Sequence, residues 1–261
     1  MEITVLTTSK DKNEMSFLLK GSTPAFVNTV RRLVMAKVPV MAIHEVEFRK
    51  NNSTLYDEVL AHRLGLVPLK TDLKSYEVAE TPEDLEKSKC HVKLTLQTKG
   101  PCVVYASDLK SKDPKIVPVY PKMIIAKLLE GQELELEATA ILGYGKDHVK
   151  WAPGIMWYNF EPTVKVNNAS KKFEEFKDKF PPQAFDKTGK LDKKLIVEND
   201  VVDACAHVCD DIVTVEYNKN NFIVHLESFG QLSCREMLVT AMDESNKTLD
   251  MFTKEVKSLE K

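Results

Sequence analysis

Apolar residues recur along this chain in two rhythms, and each rhythm predicts an element. Near the start they alternate with polar ones. Ile3 and Val5 lie on one arm and Met15, Phe17 and Leu19 on the other, with polar Ser9–Asn13 between them. That pattern predicts a β-hairpin over Met1–Lys20. From Gly21 the period changes. Phe26, Val27, Val30, Leu33, Val34 and Val38 recur at helical spacing, and Asn28, Arg31 and Arg32 fall off the centre of their stripe. A helix is therefore expected over Gly21–Val38. Thr23 is its N-cap, Pro24 takes the first helical position, where a missing N–H costs nothing, and Pro39 stops it. Val40–Phe48 then reads as a strand ended by Asn51-Asn52-Ser53. Asp57–Leu64 reads as a short helix with an acidic start.

Lys70–Lys89 is charge-rich and without clear period, a loop or short helix with Thr81 as N-cap and Pro82 at the first position. Strand signals follow: Val92, Leu94 and Leu96, a break at Gly100-Pro101, then Val103 and Tyr105. Met123–Leu128 is a short apolar run. Leu134, Leu136, Ala138 and Ala140 alternate against Glu133, Glu135 and Glu137, the pattern of a half-buried strand with an acidic outer face. Leu142–Pro153 is a basic, glycine-containing loop, and Met156–Tyr158 and Thr163–Val166 read as strand pieces.

Lys171–Phe180 reads as a charged helix with Phe173, Phe176 and Phe180 on one side, broken by Pro181-Pro182. Lys187–Lys190 is a turn and Asp200–Asp211 a second short helix. Alternation then returns at Val213, Val215 and Tyr217. Asn218–Asn221 predicts a turn, and Phe222, Val224 and Leu226 run back. A C-terminal helix follows Gly230. Its positions Leu238, Met242, Ser245, Leu249, Phe252, Val256 and Leu259 are spaced by four and three residues in turn. A sustained 3.5-residue period asks for another helix alongside. The helix over Gly21–Val38 is the one candidate within the chain, and it is too short to cover the seam.

Composition narrows the class. At 261 residues the chain can hold one large domain or two to three small ones. No apolar run approaches the ~18 residues of a membrane span, and the first residues lack a secretory apolar segment. The expectation is a cytoplasmic protein without a membrane. A formal net charge of −2 favours protein partners over strong direct nucleic-acid binding, though it leaves room for a local basic patch. Five scattered cysteines do not form a disulfide framework.

Three runs, FVNTVRRLVMAKVPVMAI, NNSTLYDEVLAHRLGLVPL and LGYGKDHVKWAP, resemble the D-type subunits of archaeal RNA polymerases. Those subunits belong to the family of the bacterial alpha subunit and the eukaryotic third-largest polymerase subunit. The likeness covers nearly the whole chain and is weakest over Lys171–Asp211. It implies an α+β fold. A discontinuous alpha-type dimerisation domain, residues 1–49 and 212–261, would be interrupted by a β-rich domain, 50–165, and by a small ferredoxin-like insert, 166–211. It implies a non-catalytic assembly platform for transcription. Such a subunit pairs with a small alpha-like partner, L in archaea, docks the large catalytic subunits, and meets the small subunits N and P. On that reading the partner-facing residues are Phe26, Val30, Arg31, Arg32, Leu33, Leu238, Met242, Leu249, Phe252 and Val256. The loop residues His148, Lys150 and Trp151 would contact another subunit.

Two constellations suggest chemistry instead. Asp57, Glu58 and His62 bring carboxylates and an imidazole onto one short helix, as a hydrolase would require, but no H-E-x-x-H pattern completes a metal site. Gly143-Tyr144-Gly145-Lys146 lacks the full phosphate-loop pattern. Cys205 and Cys209 are the residual metal candidates, and the alternative function is an iron–sulfur or zinc redox protein built on them. Iron–sulfur members of the family carry four ferredoxin cysteines in this insert. Here Asn199 and Val202 stand where the first two thiolates would be, so the cluster is expected to be lost and no cofactor bound. Packing of Cys205 and Cys209 on a shared helical face is the competing role.

Overall fold

The computed structural model describes residues 1–79, 81–199 and 201–259. In chain order the elements are β1 (Glu2–Thr8), β2 (Glu14–Lys20), α1 (Pro24–Lys37), β3 (Pro39–Asn51) and α2 (Asp57–Gly65). Next come β4 (His91–Lys99), β5 (Cys102–Tyr105), β6 (Lys110–Ser111), β7 (Ile124–Leu128), β8 (Glu133–Tyr144) and β9 (Gly154–Val166). The chain continues through α3 (Phe173–Phe176), α4 (Lys193–Glu198), α5 (Val202–Cys205), β10 (Val213–Ser228) and α6 (Cys234–Leu259). The strands order as β1-β2-β10-β9, β3-β8-β4-β6 and β5-β7.

Two compact units result. One comprises Met1–Val5, Phe17–Val27 and Tyr158–Val224; the other comprises Leu6–Ser16, Asn28–Trp157 and the chain from His225. The larger unit is built on the antiparallel β3–β8–β4 ladder. Leu134, Leu136, Ala138 and Ala140 of β8 point inward to meet Leu94 and Leu96 of β4, Ile43 of β3, and Leu60 and Leu64 of α2. Each such leucine contributes roughly 1.5–3 kcal/mol by leaving water. The outer face is acidic, as its alternation predicts, and two of its carboxylates are ion-paired: Glu133 with Lys99 at 2.8 Å and with Lys50 at 3.5 Å, and Glu137 with Lys93. These lysine partners hold both carboxyls below the usual glutamate range. In the smaller unit Phe173, Phe180, Leu191, Ile196, Val202, Cys205 and Ile212 close a second core.

Four expectations need correction. The asparagines at 218–221 make no turn, because β10 runs unbroken through them. Asn220 and Asn221 bond laterally: Ser22 N–H donates to the Asn220 carbonyl at 2.9 Å, Gly21 N–H to Asn221 Oδ1 at 3.2 Å, and Asn221 Nδ2 to Glu161 at 2.6 Å. The two strand pieces before Val166 are one strand, β9. The charged helix over Lys171–Phe180 is only the turn α3 followed by a 3-10 turn at Lys177–Lys179. Of the expected second helix, Asp200 lies outside the described residues. The remainder is α5, which ends at Cys205 because Ala206 turns to an extended backbone with ψ of 140°; His207 follows with a left-handed φ of 66°.

Candidate functional site

The site grows from α6. Its start is a capping box: Ser233 Oγ donates to Glu236 Oε2 at 2.6 Å and Ser233 N–H donates to the same oxygen at 2.9 Å. These bonds hold the Glu236 carboxyl below the usual range. The Cys234 N–H is received by the Lys12 carbonyl at 3.1 Å, so the hairpin turn anchors the helix. Two apolar lines then run along α6. Cys234, Met237 and Ala241 are fully buried in the chain's own body. One residue further round, ~100° away, runs the heptad seam. Leu238, Met242 and Ser245 are half-buried, and beyond them the seam opens to solvent. Leu249 is 59% exposed, Phe252 66%, Val256 39% and Leu259 86%. Met251, 67% exposed, adds apolar surface beside them. Every described residue from Asn246 onward is exposed, so the apolar surface of this distal half has no cover among the described residues.

On α1, Thr23 caps as expected, its Oγ1 accepting from Phe26 N–H at 3.3 Å. The apolar stripe divides in two. Val27, Val34 and Val38 are buried, whereas Val30 and Leu33 are half-buried and Phe26 is exposed. Arg31 donates to Asn28 Oδ1 at 3.1 and 2.9 Å. Arg32 is exposed. Neither arginine has an ion-pair partner among the described residues.

The basic loop is organised from within. Trp151 is only 7% exposed and packs against Gly143, where any side chain would collide with the indole. Its Nε1–H donates to the Ile141 carbonyl at 3.3 Å. Lys150 Nζ donates to the Ile43 carbonyl at 3.1 Å, lies 3.3 Å from His44 Nδ1 and stands 4.4 Å over the Trp151 ring. The β3–β8 register shifts at this point, between Ile43 and Glu45. Burial lowers the pKa of Lys150; burial and the neighbouring ammonium lower that of His44. His148 accepts the Lys150 N–H on Nδ1 at 3.1 Å and remains exposed, as does Val149. Gly145 abuts the Met35 carbonyl, so both glycines serve close packing rather than a phosphate.

The constellation at Asp57, Glu58 and His62 does not assemble. All three side chains are exposed, and Asp57 Oδ1 accepts from Asn51 Nδ2 at 2.6 Å. Cys205 and Cys209 do not share a helix, because α5 ends at Cys205. Cys205 is buried and burial raises its thiol pKa; half-buried Cys209 packs on the same core. Val202 is buried there too, and Asn199 donates to the Gln183 carbonyl at 2.9 Å. The donors at these four positions do not fit a four-thiolate cluster. Among the described residues no three His, Cys, Asp or Glu side chains converge as metal ligands, and no helix is long and apolar enough to cross a membrane.

Comparison with known proteins agrees with this picture. Residues 46–156 match the family model described as the RNA polymerase Rpb3/RpoA insert domain. The chain is similar to DNA-directed RNA polymerase subunit Rpo3 of Methanothermobacter thermautotrophicus, 37% identical over 90% of this chain and 91% of that protein. It is likewise similar to the Rpo3 of Methanobrevibacter smithii, at 35% identity over 97% of both chains. Against the Pyrococcus furiosus Rpo3 it is 41% identical, and there the match spans 68% of this chain and 66% of the relative.

Proposed function

Because the chain belongs to the family of archaeal DNA-directed RNA polymerase subunit Rpo3, we propose that it is a non-catalytic assembly platform of that cytoplasmic enzyme. It pairs with a small alpha-like subunit, L, and presents surfaces to the large catalytic subunits and to N and P. The observation that carries this reading is the distal half of α6. An apolar seam that leaves the chain's own body needs a helix from elsewhere. The open edge of α1, with Phe26, Val30, Leu33, Arg31 and Arg32, contributes a second contact. Residues 1–49 and 212–261 then act as the dimerisation domain. Segment 166–211 is a ferredoxin-like insert that binds no iron–sulfur cluster.

Affinity purification of the tagged chain from its own cells, followed by mass spectrometry, tests the proposal. Large polymerase subunits are expected beside a small alpha-like partner. Recovery of the chain alone, or with proteins unrelated to polymerase, overturns it.

A further inference from the structure

Lysines accumulate in one part of the smaller unit. Residues 171–194 hold eight lysines against five carboxylates, in a chain of formal net charge −2. Two of those carboxylates are turned onto backbone. Asp186 accepts from Thr188 N–H and Oγ1 at 2.7 Å each and from Lys190 N–H at 3.0 Å, which closes the Asp186–Lys190 turn. Asp192 accepts from Lys194 N–H at 2.8 Å at the start of α4. Gly189 gives the turn its left-handed residue, and Lys177 Nζ comes alongside it. Lys177 is thereby brought to the turn that carries Lys187 and Lys190, with Lys193 and Lys194 just beyond. Lys179 Nζ stands 4.2 Å over the Phe176 ring.

None of these six lysines has a carboxylate within ion-pair distance among the described residues. The lysines on the outer face of β4 differ, since Lys93 and Lys99 are both paired with glutamates of β8. Unpaired ammonium groups on exposed turns are depleted in protein–protein interfaces, whereas they neutralise phosphates in nucleic-acid contacts. The residues between them, Gln183 and Thr188, are polar and exposed; among the described residues of 171–199 the one large exposed apolar side chain is Val197 of α4, and no exposed aromatic anchor stands there for a protein partner.

We propose that Lys177, Lys179, Lys187, Lys190, Lys193 and Lys194 form a binding surface for the phosphate backbone of a nucleic acid. The contact is electrostatic and independent of base sequence, and it does not require the polymerase reading to be correct. The test uses the full chain and a variant with Lys187→Gln, Lys190→Gln, Lys193→Gln and Lys194→Gln. Binding to fluorescent double-stranded DNA and to single-stranded RNA is measured between 50 and 200 mM salt, with circular dichroism as the fold control. A parallel Lys→Arg set at the same four positions keeps the charge. The wild-type chain should bind with a steep salt dependence. The Gln variant should lose about tenfold or more in affinity at the lower salt and show a shallower slope, by about 0.7–0.9 per phosphate contact removed. The Arg variant should bind as the wild type does. Stronger loss on DNA assigns the surface to a duplex, and stronger loss on RNA assigns it to a single strand. Absence of wild-type binding to both, or equal affinity and slope in a folded Gln variant, overturns the proposal. So does loss of an acidic protein from purified complexes with nucleic-acid affinity unchanged.

Discussion

The two halves of α6 share one helix, one register and one apolar composition, yet they have opposite fates. In the first half Cys234, Met237 and Ala241 are sealed into the chain's own core, and the helix start is capped by Ser233 and Glu236. In the second half Leu249, Met251, Phe252 and Leu259 face solvent. The second half is also a weak helix on its own terms. Thr248 and Thr253 bond back to the carbonyls of Glu244 and Leu249, at 2.9 and 2.8 Å, and isolated helices of this length are marginal in water. What differs is the available cover. The contrast therefore separates residues that make the fold from residues the fold leaves free for a partner.

The sharpest way to break the contrast is Phe252→Glu. The isolated chain should keep its circular dichroism spectrum, because Phe252 is 66% exposed and nothing among the described residues covers it. Affinity for the small alpha-like partner should fall by ~2–4 kcal/mol, about 30- to 700-fold, with a further penalty for desolvating the new carboxylate. Size-exclusion chromatography of the co-expressed pair reads the result. A heterodimer that survives intact removes Phe252 from the interface, and a chain that unfolds would place the distal half in the core after all.

The converse substitution is Met237→Ala. Here the fold should lose roughly 2–5 kcal/mol, seen as a Tm lowered by several degrees, while the protein that remains folded pairs normally. A drop in partner affinity without a drop in Tm would erase the distinction between the halves.

The smallest effect belongs to the cap. Ser233→Ala should cost about 1 kcal/mol in thermal or urea unfolding. Since the cap lowers the Glu236 pKa, its stabilisation is complete above the unfolded value near 4.5 and is lost as the pH falls through the folded one. The variant should accordingly show a flatter acid limb, by less than the cap's own contribution because Glu236 is largely exposed. An unchanged acid limb would assign the pH dependence elsewhere.

Much of this contrast was legible in the chain. The heptad spacing from Leu238 to Leu259 located the open seam, because a regular period survives any tertiary context. The buried line at Cys234, Met237 and Ala241 was missed, although its spacing of three and four is equally helical. Alanine and cysteine give too weak an apolar signal to stand out beside leucine and phenylalanine. The capping box was present as Ser233-x-x-Glu236 and could have been read directly. The turn expected at Asn218–Asn221 failed for another reason. Asn218 Oδ1 does accept the Asn220 N–H locally at 3.0 Å, but Gly21, Ser22 and Glu161 supply lateral partners that keep the strand running, and no local pattern reveals them. Trp151 is buried because Gly143, eight residues earlier, has no side chain. That is a fact about a pair of positions rather than about either one.

The anchoring of α6 on the hairpin turn also has a consequence in time. Cys234 Sγ donates to the Asn13 carbonyl across 221 residues of sequence. At ribosomal rates of ~5–20 residues per second, the turn would wait roughly 10–45 s for its partner to be made. During that interval it is held by itself: Asp11 accepts from Ser9 Oγ at 2.5 Å and from Asn13 Nδ2 at 3.2 Å, and Glu14 N–H donates to Ser9 Oγ at 2.9 Å. Residues 46–156 emerge complete meanwhile and can collapse on their own core. Nascent chains should therefore acquire a protease-resistant fragment from the middle of the sequence before the two ends close, and the surface that recruits the partner would be the product of the last stage of folding.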